Sequence, residues 1–506
     1  MTAAAGGVDE DADNLTALAK GGRTNITGFV LRLAARLPFL FIAGRLYGPD
    51  TLGTFARAVL FADAAALLAT FGLKRGLAQA LSATDRPHVH VVMDCLTVAL
   101  GASLVVTAFL LAFPDLMFHA SNPTRLERLL PCVIIASAWA DIMLAALAYR
   151  RNVRAAVTAR AVIEPWTISI AAGCLYPFAP HDGLVLAYML SMVAALASSA
   201  VPFFKSYGWP HGWHPHPMRI ATLARRNAPL AGAEGLEWGT RNVDRLIIFL
   251  MFEPRIVGIY WTAQQVASIP GKLKTSFDPI LGPVITASLA KDDREGVANQ
   301  VRQVSFWIIA AQAGLALMLS IPGKAVMGIF GPEFVAGTAA MAFLLTAEAA
   351  ASTGAVSESA LVYIARLRNL MISISMLCFQ VVLSLVLIFV IRAYGWPNTY
   401  QAAGPALALL LSVTLTSIIK STYLSRLLSA RVSGFRLPLV WAALAATIVG
   451  TAFTALPKHY EWVELVIGIP AIAATYFYIL SKWAFGPEDR ALFGKIPSVE
   501  EATLPA

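Results

Sequence analysis

Charge is what this chain has least of: Asp, Glu, Lys and Arg make up 14% of its 506 residues and hydrophobic types 58%, where soluble globular chains carry about 25% charged residues. With a mean hydropathy of +0.66, that deficit excludes an ordinary soluble domain and points to an all-α polytopic membrane protein. Cysteine is also scarce. Cys95, Cys132, Cys174 and Cys378 stand apart in apolar segments without metal-ligand spacing, so neither a disulfide framework nor a metal site is expected, and each is read as a small buried apolar residue. No GxxxxGK, HExxH or GxSxG motif occurs, so no catalytic residue, metal or cofactor is expected. The first residues, with Asp9, Glu10, Asp11 and Asp13, lack the basic start and apolar run of a signal peptide.

What the chain has is long apolar runs. Fourteen, each of about 20 residues or more, fall near 24–46, 53–73, 90–113, 128–149, 155–177, 183–204, 228–252, 257–288, 300–322, 335–360, 369–391, 402–425, 437–457 and 462–484. The cations between them alternate in density: one set of loops holds 25, the other only Arg45, Arg125, Arg128, Arg255, Lys324, Arg392 and Lys458. By the positive-inside rule both termini are cytosolic and the span count is even. The net charge of +9 is thus a topology signal, and no nucleic-acid partner is implied.

A repeat links two of these spans. Leu46-Tyr47-Gly48-Pro49 leads to Gly53 and Phe55, and 205 residues later Met251-Phe252-Glu253-Pro254 leads to Gly258 and Tyr260. Each copy reads as a tight turn in which Pro starts a helix and Gly permits close approach. Upstream at the same offset stand Arg36 and Arg241, inside spans where a cation costs about 2.5 to 3.5 kcal/mol and is a functional-site hypothesis by default. Internal repeats of this kind mark secondary transporters.

The run Gly44-Arg45-Leu46-Tyr47-Gly48-Pro49-Asp50-Thr51-Leu52-Gly53-Thr54-Phe55, continuing to Phe71-Gly72-Leu73, resembles the start of polysaccharide flippases of the MOP superfamily, the Wzx-like or PST group. So do Asn242-Val243-Asp244-Arg245, Gly258-Ile259-Tyr260, Asp293-Arg294-Glu295-Gly296 and Phe330-Gly331-Pro332-Glu333-Phe334. The resemblance, over roughly residues 24 to 425, implies two six-helix lobes facing a central cavity that opens to either side to move a polyprenyl-diphosphate-linked glycan outward. The expected organisation is a cytosolic tail (1–23), an N-lobe (24–204), an interlobe linker (205–227), a C-lobe (228–428), an extra helix pair (437–484) and a second cytosolic tail (485–506). The resemblance further implies a bacterial inner-membrane location and a monomeric transport unit serving exopolysaccharide, capsule or O-antigen assembly. Its expected partners are membrane lipid and the pathway's polysaccharide polymerase and glycosyltransferases.

Diphosphate recognition calls for guanidinium forks and ammonium groups. Asn25, Arg32 and Arg36 share one helix face, and Glu234, Glu237, Trp238, Arg241 and Arg245 recur at three- and four-residue steps. Arg36, Arg241 and Lys272 are expected to contact the diphosphate, with Arg32 and Arg245 in support. The alternative is that these cations pair with carboxylates such as Asp63, Asp141, Glu164, Glu237 or Asp278 and lock the lobes. Asp141, Glu237, Glu348 and Glu358 are the candidates for ion coupling, against a plain helix–helix hydrogen bond. His211, His214 and His216 in the linker read as interfacial loop residues ahead of a metal site. A multidrug cation antiporter is the rival function, disfavoured by the arginines of the first span. A membrane-embedded glycosyltransferase or glycan polymerase is disfavoured by short outer loops.

Overall fold

The computed structural model describes residues 37–82, 84–118, 124–150, 152–274, 285–286, 288–289, 291–457, 461–486 and 489, all helix, turn or loop. Arg32 and Arg36, with the first part of the first span, lie outside them. The main helices are α1 (Gly48–Ala69), α2 (Leu73–Ser82), α3 (His88–Ala112), α4 (Val133–Tyr149), α5 (Glu164–Leu175), α6 (Gly183–Tyr207), α7 (Pro217–Met251), α8 (Pro254–Lys274), α9 (Arg294–Ser320), α10 (Thr338–Ile364), α11 (Arg366–Ala393), α12 (Asn398–Leu428), α13 (Pro438–Thr454) and α14 (Ile469–Ile479). Among the described residues nine helices are long and apolar enough to cross a membrane. The expected spans near 155–177 and 228–252 are helical, but Arg160 and Glu164 in one and Glu234, Glu237, Arg241, Asp244 and Arg245 in the other dilute their apolar character.

Proline shapes several of these elements. Wide π turns at Ala43–Tyr47, Thr158–Ile163 and Glu464–Gly468 each stand just ahead of a proline, Pro49, Pro165 and Pro470. A proline lacks the N–H that would bond the carbonyl four residues back and crowds that carbonyl with its ring; here the widened turn absorbs both. Through Pro202, Pro229, Pro270 and Pro405 the helices continue.

The described residues form two compact units, one ending at Trp261 and the other beginning at Thr262, within α8. In the first, Leu73, Leu77, Val92, Leu96, Leu147 and Phe203 make one core between α2, α3, α4 and α6. The linker after α6 belongs to it: Trp213 Nε1 donates to Asp94 at 2.9 Å, and Trp209 stacks on Phe204 with centroids 4.6 Å apart. In the second, Phe306, Trp307, Val356, Leu361 and Leu424 pack with Tyr476, whose hydroxyl donates to the Ala310 carbonyl at 3.0 Å.

The inside-out pattern of α11 explains a correction. Its buried positions are Asn369, Gln380, Ser384 and Ile388, while Leu367, Met371, Val382 and Phe389 are exposed, an arrangement stable only where the surroundings are as apolar as the core. The same logic revises the cysteines. Cys95 is buried as expected, but Cys132, Cys174 and Cys378 are exposed, because an apolar residue in a span need not face inward.

Candidate functional site

Two glycines bring the charged groups of the first unit together. Between α1 and α2 the chain turns at Phe71 and Gly72, both at positive φ, and a Cβ on Gly72 would lie 2.7 Å from the Ala231 nitrogen. One turn on, a Cβ on Gly76 would lie 1.9 Å from Asn227 Oδ1. Only glycine lets α2 lie this close against α7. Arg75 is thereby set beside the acidic face of α7: its Nε stands 3.2 Å from Glu234 and its Nη2 2.8 Å from Glu237. Glu237 also receives Arg241, four residues on, at 2.8 Å. Both guanidinium groups remain open, the Arg75 side chain 57% exposed and that of Arg241 75%, while Glu234 is 5% exposed.

A second ionic chain continues on α4 and α5. Lys74 Nζ lies 3.3 Å from Asp141, Arg160 pairs with the other oxygen of Asp141, and Arg160 Nη1 reaches Glu164 at 2.7 Å. Tyr188 on α6 donates to Asp63 on α1 at 2.7 Å. Among the described residues no group of His, Cys, Asp and Glu is arranged to hold a metal.

The expected site residues therefore divide. Glu237 and Arg241 meet, and Asp141 joins the Arg160 chain. Among the described residues the buried Nε of Arg245 has no hydrogen-bond partner; the neighbouring Asp244 accepts from Tyr260 at 3.0 Å. The second unit holds the others apart from this cluster in sequence. Glu348 packs its carboxylate over Gly271, where a Cβ would come within 2.4 Å of Oε2, one residue before Lys272, whose side chain lies outside the described residues. Glu358 is paired with Lys420 at 3.1 Å, and the buried ammonium also donates to Ser373 at 2.8 Å.

Sequence reasoning missed Arg75 and Arg160 as site residues because it counted both as loop cations; the i, i+3 pair Glu234 and Glu237 was the signal that α7 required a cationic partner. It missed Arg57 altogether.

The repeat turns form a site of their own. A Cβ on Gly53 would sit 1.7 Å from the Pro254 carbonyl oxygen, and one on Gly258 would sit 2.1 Å from the Pro49 carbonyl oxygen. Each glycine of one copy faces the proline of the other, so α1 and the start of α8 cross at backbone contact.

This fold is that of known membrane flippases and transporters. The lipid II flippase MurJ, in an inward-closed conformation, matches with a TM-score of 0.69 at 13% identity, over 91% of this chain and 100% of that one. An inward-facing multidrug-resistance MATE transporter of the MOP superfamily matches with a TM-score of 0.59 at 14% identity, over 79% and 98%. The Vibrio cholerae MATE transporter VcmN in its bent form gives 0.52 at 10% identity, over 82% and 98%. No curated protein matches by sequence. The profile of a family described as polysaccharide biosynthesis protein matches residues 42–329; that is more than half of the chain, which belongs to this family.

Proposed function

We propose that the protein is a flippase that carries polyprenyl-diphosphate-linked oligosaccharide units from the cytosolic to the outer leaflet of the bacterial inner membrane, for exopolysaccharide, capsule or O-antigen assembly. The observation that carries this reading is the open pair of guanidinium groups, Arg75 and Arg241, held by the shared carboxylate of Glu237 in a chain of the polysaccharide biosynthesis family. Each arginine has five N–H donors, most of them left free by these contacts. A diphosphate, with about two negative charges, would bridge the two forks and take over from Glu237. Arg36 and Lys272 complete the proposed diphosphate contacts, with Arg32 and Arg245 in support, and the lipid tail stays in the bilayer while the lobes rock in alternating access. Asp141, Glu348 and Glu358 are the proposed coupling carboxylates.

The test is to score Arg75→Gln, Arg241→Gln and Arg36→Ala for polymer export and for build-up of the lipid-linked unit on the cytosolic face. Loss of export with accumulation of that unit is the expected result. Normal export in all three at normal protein level rejects the diphosphate site. Drug resistance that depends on these residues, with export intact, would instead favour the multidrug antiporter.

A further inference from the structure

One cation in the first unit is buried without a counterion among the described residues. Arg57, on α1 one helical turn past Gly53, is 7% exposed. Its Nε donates to the Leu116 carbonyl at 3.4 Å, and among the described residues the guanidinium has no other hydrogen bond and no ion pair. Among the described residues nothing accepts from the four Nη hydrogens. Arg57 borders a cavity of about 300 Å³ that is also lined by Thr54, Met117, Phe118, Phe252 and Glu253. Glu253 is exposed and is not paired with Arg57.

Burying a guanidinium with a single carbonyl partner opposes folding, since the desolvation of the charge is not repaid by a counterion. A pure packing role would be filled better by an apolar residue of the same length. The cavity combines a buried planar fork, suited to two oxygens of one oxyanion, with a carboxylate that accepts hydrogen bonds. The geometry points to a binding site for a phosphate ester flanked by N–H or O–H donors, with the phosphate on Arg57 and the donors on Glu253. Two lipid classes present that chemistry, an aminophospholipid headgroup and the phosphate-linked first sugar of a glycolipid. The site does not involve Arg75 or Arg241, so its failure leaves the flippase reading intact and the reverse also holds.

The full chain in detergent is titrated by calorimetry with O-phosphoethanolamine and glucose 1-phosphate, and with ethanolamine and glucose as partners lacking phosphate. At least one ester is expected to bind and its unphosphorylated partner to fail; the tighter ester identifies the lipid class. Arg57→Gln, which keeps one donor for Leu116 but no charge, is expected to weaken binding by about tenfold or more, and Arg57→Lys to retain part of it. Ligand-free Arg57→Gln should unfold at the same temperature as the parent chain or higher. Glu253→Gln, at an exposed position, should narrow the preference for the ester over inorganic phosphate. The proposal is overturned if neither ester binds, if binding is the same in Arg57→Gln, or if Arg57→Gln only destabilises the ligand-free protein while Arg57→Lys and Glu253→Gln bind as the parent does.

Discussion

The two units treat their charges differently. In the second, the buried Asp489 has a dedicated partner set: 1% exposed, it takes Arg436 at 2.7 Å, Trp307 Nε1 at 2.8 Å and the Gly486 N–H at 2.7 Å, and Arg436 also stacks on Phe306, 3.7 Å from the ring centroid. In the first, Asp94 has a comparable set in Arg86 at 3.0 Å and Trp213 at 2.9 Å, but two other carboxylates are shared, Glu237 between Arg75 and Arg241, Asp141 between Lys74 and Arg160, and several of the cations stay accessible. Dedicated burial fixes structure, because removing one partner strands the other. Shared, open pairing leaves donors for a third group to claim.

That contrast sets an order of expected effects on stability. Asp489→Ala removes the counterion of Arg436 and one acceptor each of Trp307 and Gln303 and should cost about 3 kcal/mol, read as a fall in unfolding temperature in detergent, with export per folded molecule unchanged. Lys420→Met should cost less, about 1 kcal/mol, since Glu358 is 44% exposed and can be rehydrated; a loss as large as that of Asp489→Ala would show that Glu358 is not wet. Arg75→Gln should cost under about 1 kcal/mol yet reduce export at least tenfold, and a large stability loss with intact export would erase the distinction between the units. The smallest effect is that of salt. Raising ionic strength from 0.1 to 1 M cuts the screening length from about 10 to 3 Å, so the Arg75–Glu237 contribution should fade while unfolding of the Arg436–Asp489 region is little changed, as hydrogen exchange of the two segments would show.

The all-helical membrane fold was legible in the chain because lipid imposes a simple rule: long apolar runs cross as helices. The repeat turn was readable for the same reason that it works, since Pro49, Gly53, Pro254 and Gly258 are backbone requirements and leave a signature in residue type. The pairings were not. Arg75 and Glu237 are separated by 162 residues, and nothing local distinguishes a loop cation from one that a glycine pair, Gly72 and Gly76, carries onto the next helix. Arg57 escaped because a single cation early in a span adds little to any pattern. The cysteines were misjudged because apolarity indicates burial only when the surroundings are water.

The crossing of Gly53 over Pro254 and Gly258 over Pro49 also ties together the later history of the two copies. Most duplicated segments are free to diverge, but here a methyl group added to either glycine strikes the main chain of the other copy, and no side-chain repacking can make room. Separation of the helices, once forced by one substitution, relieves both contacts. The second alanine should therefore do less harm in the presence of the first than alone, and a double-mutant cycle on Gly53→Ala and Gly258→Ala should return a coupling of about 0.5 kcal/mol or more. The two ancestral copies would then behave at this point as one inherited position.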